Sequence, residues 1–185
     1  VAVYIHGGAW QRGHKDNGSF PAESFVARGV TWVPTNFIMV PAGTLDDMVR
    51  QNRDALAWVY NNIADYGGDP EQIYVMGHSS GGHLTGMMIC TDWEGDYGLP
   101  ADLIKGAVAI SGMYDLEAVC LSYRNDFLKL DAAGCRRNSS IHHIRDYGPR
   151  LVIGCSEHDT EEFHRQPLAF AEAWKKRGHD CEWIE

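Results

Sequence analysis

The stretch Ile73–Leu84 reads IYVMGHSSGGHL and contains the pattern Gly-x-Ser-x-Gly. An apolar run typical of a buried strand comes before the pattern, and a segment typical of a helix comes after it. A strand that turns directly into a helix leaves no room for side chains at Gly77 and Gly81. Such a turn would hold Ser79 in a strained backbone conformation, with its hydroxyl at the carboxyl edge of a sheet and at the N-terminus of a helix. We therefore predict that Ser79 is a nucleophile, and that the adjacent Ser80, which lacks the flanking glycines, contributes its backbone N–H.

Outward from this turn, short apolar runs alternate with helical patterns along the chain. The predicted strands are Val1–Ile5, Val30–Pro34, Ile73–Met76, Gly106–Ile110, Arg150–Gly154 and Cys181–Ile184. The predicted helical segments are Pro21–Arg28, a helix capped by Thr44, His83–Cys90, a mixed excursion over Tyr114–Leu130, and Glu161–Arg177. This alternation predicts an α/β fold, with a mostly parallel sheet covered by helices on both faces. A chain of 185 residues with 44% hydrophobic residues suffices for one core, so we expect a single domain over residues 1–185.

Composition and charge argue against several classes of protein. The chain has 25 acidic and 16 basic residues, so its surface is expected to repel nucleic acid. Its apolar stretches are too short to span a membrane. The five cysteines form no closely spaced pair, which indicates free thiols in a reducing compartment and a cytoplasmic location. His142 and His143 have no helical i, i+4 partner and no nearby carboxylate, so no metal site is expected.

The loop HGGAW, which begins at His6, follows the first predicted strand. Without a Cβ, the backbone of Gly7 and Gly8 can approach a substrate carbonyl closely. We predict that their N–H groups form an oxyanion hole together with the N–H of Ser80. Trp10 is a candidate substrate-binding wall for an aromatic leaving group, although a tryptophan more often packs in a core. His6 lies before the nucleophile in the chain, so we expect it to order the loop rather than to act as the base.

Two carboxylates compete for the role of the acid that orients a catalytic imidazole. Glu157 and Asp159 both follow the predicted strand Arg150–Gly154, and either could hold the δ nitrogen of a histidine. The position after the penultimate strand favours Asp159, and Glu157 stays open as the alternative. Asp115 is a weaker third candidate, which we expect to cap the following helix instead.

The base is expected after the last strand, and no histidine of the chain fits that position. His164 lies on the helix behind the acid. His179 precedes the last strand, at the end of the sheet opposite the nucleophile. The chain opens inside a strand-like run without Met, and it ends at Glu185, directly after the last predicted strand. We therefore expect a fragment that lacks the first strands of its fold and a C-terminal segment carrying the catalytic histidine.

Taken together, these motifs resemble the kynurenine formamidase (arylformamidase) branch of the α/β-hydrolases. The resemblance covers essentially the whole chain. The stretches that carry it are His6–Trp10, Gly77–Leu84, Ser111–Leu116, Leu121–Asn125 and Asp159–Gln166. The last of them, DTEEFHRQ, looks like the family's segment that carries the triad acid, which places that acid at Asp159. Pro167 departs from the family pattern, because a proline early in a helix removes one backbone hydrogen bond.

The resemblance implies a partial α/β-hydrolase domain that acts on a small-molecule substrate through serine chemistry, without a cofactor. The implied reaction is the hydrolysis of N-formyl-L-kynurenine to kynurenine and formate. Because related members are general carboxylesterases, an esterase is the first alternative. A hydrolase-fold protein that binds ligands without catalysis is the second, since the chain offers no well-placed base. The oligomeric state stays open, with a homodimer among the options.

Overall fold

Six strands form one sheet in the computed structural model, which describes residues 1–185. The strands are β1 (Ala2–Ile5), β2 (Trp32–Pro34), β3 (Ile73–His78), β4 (Ile104–Ile110), β5 (Arg150–Gly154) and β6 (Cys181–Ile184). Their order across the sheet is β2-β1-β3-β4-β5-β6, and every neighbouring pair is parallel. All six predicted strands are present, so the prediction of a parallel α/β sheet is confirmed.

Helices connect the strands. They are α1 (Ala22–Val26), α2 (Leu45–Asn62), α3 (Ser80–Ile89), α4 (Trp93–Tyr97), α5 (Glu117–Cys120), α6 (Asn125–Leu128), α7 (Ala132–Arg137) and α8 (Glu161–Lys176). Short 3-10 segments cover Lys15–Gly18, Ile63–Tyr66 and Ser140–His142. None of the helices combines the length and the apolar character needed to cross a membrane. Because the strands are parallel, the loops after β1, β3, β4 and β5 meet at one edge of the sheet, where open α/β sheets place their ligands.

Helix α2 begins where the sequence predicts it. Thr44 Oγ accepts a 3.1 Å hydrogen bond from the N–H of Asp47, and Asp47 Oδ2 accepts a 3.0 Å bond from the N–H of Thr44. This reciprocal capping box satisfies two backbone donors that a helix start otherwise leaves open. The apolar face of the helix then packs into the core through residues that include Met48, Leu56 and Val59. A local polar signal and a helical apolar period therefore define the same element.

Helix α3 lies at the centre of the fold, since all 10 of its residues are buried. Small residues let it approach its neighbours closely. A Cβ on Gly82 would lie 2.8 Å from the carbonyl oxygen of Ile110 at the end of β4. On another side, a Cβ on Gly86 would lie 2.8 Å from Ser140 Oγ. The helix that follows Ser79 is thus held on two sides, which fixes the turn that precedes it.

Two short helices, α4 and α7, were not predicted from the sequence. Asp92 Oδ1 accepts a 3.0 Å bond from the N–H of Gly95 at the start of α4, and Asp131 Oδ1 accepts a 2.7 Å bond from the N–H of Gly134 at the start of α7. Each helix is short and contains a glycine, so neither shows a clear apolar period. Their aspartate caps carry the local signal.

Pro167 lies inside α8 and is buried, yet the helix continues through it. The proline removes one hydrogen bond of the helix, as the sequence predicts. Core packing compensates for this loss, because Phe170 and Trp174 on the same helix are both 0% exposed. The ring of Phe170 stacks on Tyr114 with centroids 4.6 Å apart. This packing anchors the helix that follows the predicted acid.

Candidate active site at the carboxyl edge of the sheet

Ser79 occupies the turn between β3 and α3 with a φ of 58° and a ψ of −123°. The flanking glycines are required by sterics: a Cβ on Gly77 would lie 2.3 Å from the carbonyl oxygen of Gly81, and a Cβ on Gly81 would lie 2.0 Å from that of Ile5. The N–H of Ser79 donates a 2.8 Å bond to the carbonyl oxygen of Ile110. The turn is therefore tied to the strands on both sides, and it has the geometry of a nucleophile elbow.

The loop after β1 packs directly against this turn. A Cβ on Gly7 would lie 2.7 Å from the carbonyl oxygen of His78 and 3.3 Å from the Cβ of Ser79. The N–H groups of Gly7 and Gly8 donate to no other backbone group. Ser80 is the first residue of α3, where a helix leaves its N–H without an intrahelical acceptor. The three predicted oxyanion donors therefore have no competing backbone acceptor, and Gly7 and Ser80 lie on either side of Ser79.

The loop His6–Trp10, or glycine loop, reverses its direction through three successive residues with positive φ. Gly8, Ala9 and Trp10 have φ values of 131°, 54° and 61°. The carbonyl oxygen of Gly8 accepts 3.1 Å bonds from the N–H groups of Gln11 and Arg12, which closes the turn. A Cβ on Gly8 would lie 1.8 Å from the carbonyl oxygen of Arg12, so only glycine fits at that position.

Trp10 does not form a wall of the cleft, and that prediction needs correction. Its side chain is buried at 3% exposure, and its Nε1 donates a 3.2 Å hydrogen bond to Nδ1 of His83 in α3. Burial lowers the pKa of His83 to about 4, so the ring is neutral near pH 7 and its Nε2 donates a 2.8 Å bond to the carbonyl oxygen of Asn138. Trp10 therefore connects the glycine loop to α3, the helix that follows Ser79. The aromatic side chain takes a core position because its one polar atom finds a partner there.

His6 orders the loop. It is 4% exposed, and its ring stacks on Phe37 with centroids 4.4 Å apart. Its Nδ1 lies 2.8 Å from the carbonyl oxygen of Gly7. A Cβ on Gly13 would lie 2.4 Å from the same ring nitrogen, so the returning chain packs tightly on the imidazole. These contacts agree with the structural role expected for His6.

Asp159 follows β5 and is fixed by two hydrogen bonds to a single oxygen. Its Oδ2 accepts a 2.5 Å bond from the hydroxyl of Ser111 and a 3.0 Å bond from the N–H of Ser156. The bond from Ser111 is the main reason that the pKa of Asp159 lies below its usual value, and the bond from Ser156 adds to it, while burial opposes both. Oδ1 takes part in neither bond, so it remains able to accept a hydrogen bond from the N–H of an imidazole.

The two alternatives to Asp159, which are Glu157 and Asp115, lie in different surroundings. Glu157 is exposed. Asp115 Oδ1 accepts a 3.1 Å bond from the N–H of Glu117, the first residue of α5, but the N-cap residue of that helix is Leu116, and not Asp115 as expected from the sequence. Among the three candidate acids, Asp159 is the one that the structure joins to the end of β4 through Ser111.

Backbone hydrogen bonds place these residues on three neighbouring strand ends. The N–H of Ser79, after β3, binds the carbonyl oxygen of Ile110, and the N–H of Ser111, after β4, binds that of Gly154 at the end of β5, both at 2.8 Å. Two strand spacings separate β3 from β5 by roughly 10 Å. Ser79 and Asp159 thus follow strands on either side of β4, an arrangement in which an imidazole can bridge a serine and a carboxylate.

The nine histidines of the chain form no hydrogen bond to the Ser79 hydroxyl or to the Asp159 carboxylate. His164 lies beside Asp159, but its Nε2 is 3.1 Å from the backbone oxygen of Asp159 and its Nδ1 is 3.1 Å from Cys155 Sγ. His179 lies at the opposite end of the sheet, as expected, where its Nε2 is 2.9 Å from the carbonyl oxygen of Arg145.

Sequence reasoning assigned no role to Ser111 or Gln166, which support the acid. Ser111 is 3% exposed and has a φ of 50°. Gln166 on α8 is 1% exposed, and its Oε1 accepts bonds of 2.8 Å and 2.9 Å from the N–H groups of Tyr114 and Asp115. The two sequence stretches that contain Ser111 and Asp159 are therefore bonded to each other at both ends. The position of Ser111 directly after a predicted strand was a signal that it could belong to the site. Its partner could not be predicted, because Asp159 lies 48 positions away in the chain.

A cleft of 360 Å³ opens beside Ser79. The glycine loop forms one side of it, and Arg12 and Arg124 also line it. Its volume falls within the range of small-molecule sites. Ser79 and two of the predicted oxyanion donors, Gly7 and Gly8, thus face a space large enough for a small substrate.

The chain is similar to several known proteins. Kynurenine formamidase from Danio rerio is 31% identical over 183 residues, which are 96% of this chain and 60% of that protein. Isoprenylcysteine alpha-carbonyl methylesterase from Arabidopsis thaliana is 31% identical over 130 residues, 68% of this chain and 30% of that protein. A propionate-bound esterase structure from Thermogutta terrifontis superimposes with a TM-score of 0.79 at 25% identity, covering 99% of this chain and 70% of that one. The chain thus spans less than two thirds of the length of either curated relative.

The sequence profile of the BD-FAE family matches residues 1–160, which is most of the chain. The named relatives and the structural neighbour are hydrolases, and the neighbour shares the parallel sheet with its helices. The chain belongs to the BD-FAE family, a family of hydrolases with the α/β-hydrolase fold.

Proposed function

We propose that the chain carries the nucleophile and the acid of a serine hydrolase that works through an acyl-enzyme. The Ser79 hydroxyl attacks the carbonyl carbon of an ester or formamide, the leaving group departs with a proton, and water then releases the acyl group. The observation that supports this most directly is the position of Ser79. It has a positive φ at the N-terminus of a buried helix, with Gly7 packed against its Cβ.

The oxyanion that forms on the attacked carbonyl is bound by backbone donors. We assign this role to the N–H groups of Gly7, Gly8 and Ser80, because they lie around Ser79 and have no backbone acceptor of their own. Loss of one such donor typically raises the barrier by about 3 kcal/mol. The positive end of the dipole of α3 adds to this stabilisation.

The reaction also needs an imidazole to take the Ser79 proton. Asp159 is the residue we assign to orient it, since its Oδ2 is fixed by Ser111 and Ser156 and its Oδ1 can accept a hydrogen bond from the imidazole N–H. The base that we propose is a histidine whose ring bridges Ser79 and Asp159. The sequence of the full-length protein tests whether it supplies one.

The substrate that we propose is an aryl formamide, with N-formyl-L-kynurenine as the leading candidate. The relative from Danio rerio carries the name kynurenine formamidase, and the match covers 96% of this chain. A formyl group is the smallest acyl group, so the tight space between Gly7 and Ser79 can accommodate it. Hydrolysis would give kynurenine and formate, without a cofactor.

Formate release from N-formyl-L-kynurenine by the full-length protein tests this function. We expect Ser79→Ala to lower turnover by at least about a thousandfold, because the nucleophile is lost. Ser80→Ala is the matched comparison: it should retain turnover, since the proposed contribution of Ser80 is its backbone N–H. Near-normal turnover by a folded Ser79→Ala variant would refute the proposal.

A general carboxylesterase is the second candidate. The methylesterase from Arabidopsis thaliana and the esterase from Thermogutta terrifontis favour it, because both are named for ester hydrolysis. The values of kcat/KM for N-formyl-L-kynurenine and for phenyl acetate separate the two candidates. A preference for phenyl acetate would replace the formamidase with the esterase, and no turnover of either would favour a non-catalytic protein.

A further inference from the structure

The cleft beside Ser79 has a charge opposite to that of the chain. The sequence contains 25 acidic and 16 basic residues, yet no Asp or Glu lines the cleft. Its charged lining residues are Arg12 and Arg124. A concave site lined by one sign of charge concentrates the field of that charge and attracts ligands of the opposite sign. The cleft is therefore suited to an anionic small molecule.

Of the two arginines, Arg124 is the better placed to bind an anion in the cleft, because it is more buried and its position is fixed by neighbouring groups. It is half-buried, whereas Arg12 is exposed. Its guanidinium carbon lies 5.5 Å from the centroid of the Tyr123 ring, a contact that restricts the orientation of the guanidinium. The backbone is fixed as well, because the N–H of Arg124 donates a 3.2 Å bond to Ser122 Oγ.

The guanidinium of Arg124 forms no ion pair within the protein, unlike several other arginines. Arg137 pairs with Asp46 at 2.6 Å, and Arg165 pairs with Glu162 at 2.8 Å. A half-buried cation is more stable with an anionic partner than without one. The rigid fork of a guanidinium matches the two oxygens of a carboxylate, which is the pairing it makes most readily.

We propose that Arg124 binds a carboxylate of the substrate, so that the cleft selects amides or esters whose leaving group carries a carboxylate. Arg12 contributes to the field at the mouth of the cleft without holding the carboxylate. The inference deepens the proposed function and rests on it, since it takes Ser79 as the nucleophile. It assigns the selection of an amino-acid leaving group to one residue of the segment after α5.

The test uses two formamides that differ by the anionic group. 4-(2-Formamidophenyl)-4-oxobutanoate carries a carboxylate and no ammonium group, and 2-formamidoacetophenone has the same aryl ketone without the carboxylate. We expect Arg124→Gln in the full-length protein to lower the ratio of their kcat/KM values by about tenfold to a hundredfold, mainly through KM of the charged substrate. Arg124→Lys should restore part of the ratio, because a point charge replaces the fork.

Lys129→Gln is the matched control, since it removes one positive charge from an exposed residue that does not line the cleft. It should leave the ratio at the wild-type value, and an equal fall in this variant would mean that general surface charge is responsible. A ratio unaffected by Arg124→Gln overturns the inference while the formamidase stands.

If the wild type hydrolyses neither formamide, the formamidase assignment fails. The ratio is then measured with 3-acetoxybenzoate and phenyl acetate, which differ in the same way, and its response to Arg124→Gln decides the inference alone. Absence of turnover of all four compounds overturns both the inference and the proposed function.

Discussion

The hydroxyl of Ser111 donates a 2.5 Å hydrogen bond to Oδ2 of Asp159, which lies 48 positions later in the chain. Ser111 follows β4 and Asp159 follows β5, so the bond joins the ends of two neighbouring strands. It is also the main cause of the lowered pKa of Asp159. A carboxylate held in this way stays ionised and keeps one orientation, as an acid that positions an imidazole must.

We expect Ser111→Ala to lower kcat/KM at pH 7 by about tenfold or more, because a hydrogen bond to a charged group is worth about 1.5–3 kcal/mol. Steady-state kinetics of the full-length protein check this. Ser19→Ala is a suitable control, since that hydroxyl donates to the carbonyl oxygen of Lys15 at the surface. Equal activity of the two variants would show that Ser111 does not position the acid.

The same variant should alter the dependence of stability on pH. Because the native pKa of Asp159 is lowered, its contribution to stability is present above the ordinary aspartate pKa and is lost as the pH falls through the native value. Without Ser111 the native pKa rises, so this contribution shrinks. Urea midpoints of wild type and Ser111→Ala should differ at neutral pH and approach each other near about pH 3. A gap of constant size across that range would contradict the linkage.

Gly7→Ala should impair turnover more than stability. The added Cβ would lie 2.7 Å from the carbonyl oxygen of His78, so the loop must move away from Ser79. A displacement of about 1 Å at a reacting centre costs roughly a hundredfold in rate. Gly98→Ala is the comparison, because its Cβ meets nothing within 4 Å and its φ of 64° adds only backbone strain. The control should lose about 1 kcal/mol of stability and keep its turnover per folded molecule.

Trp10→Phe tests the corrected role of that side chain. The change leaves Nδ1 of the buried His83 without its donor, so we expect a loss of about 1–3 kcal/mol in the free energy of unfolding. Because Trp10 is 3% exposed, the ratio of kcat/KM for aryl and alkyl esters should stay the same. A selective rise of KM for aryl substrates would instead restore Trp10 as a wall of the cleft.

Thr44→Ala should cost about 1 kcal/mol of stability through loss of the cap of α2, with no change in kcat/KM. Thr160 offers the matched control, since it is the N-cap residue of α8 but its side chain forms no capping hydrogen bond. Thr160→Ala should therefore have the smaller effect on the urea midpoint. Equal losses would mean that the capping box contributes little.

Features with a local cause could be predicted from the sequence. The turn at Ser79 is defined by glycines two positions away on each side, and the start of α2 by Thr44 and Asp47. The six strands, which are three to seven residues long, follow from short apolar runs. In each case the residues that determine the turn, helix start or strand are close together in the chain, so a short sequence pattern is enough to predict it.

Features that depend on distant partners could not be predicted in this way. Trp10 was a candidate for the cleft until the structure showed its bond to His83, 73 positions away. Ser111 had no assigned role, because its bond to Asp159 depends on the register of β4 and β5. The charge of the cleft likewise depends on Arg12 and Arg124, which line the same cleft although they are far apart in the chain, so no local pattern reveals it.

Non-glycine residues with a positive φ are Ala9, Trp10, Ser79, Ser111 and Lys129. All but Lys129 lie in the loops that follow β1, β3 and β4 at the edge of the sheet. Each such conformation costs on the order of 1 kcal/mol or more relative to a relaxed backbone. Selection for thermal stability alone is therefore expected to replace these four residues early, which would give more stable proteins with lower turnover.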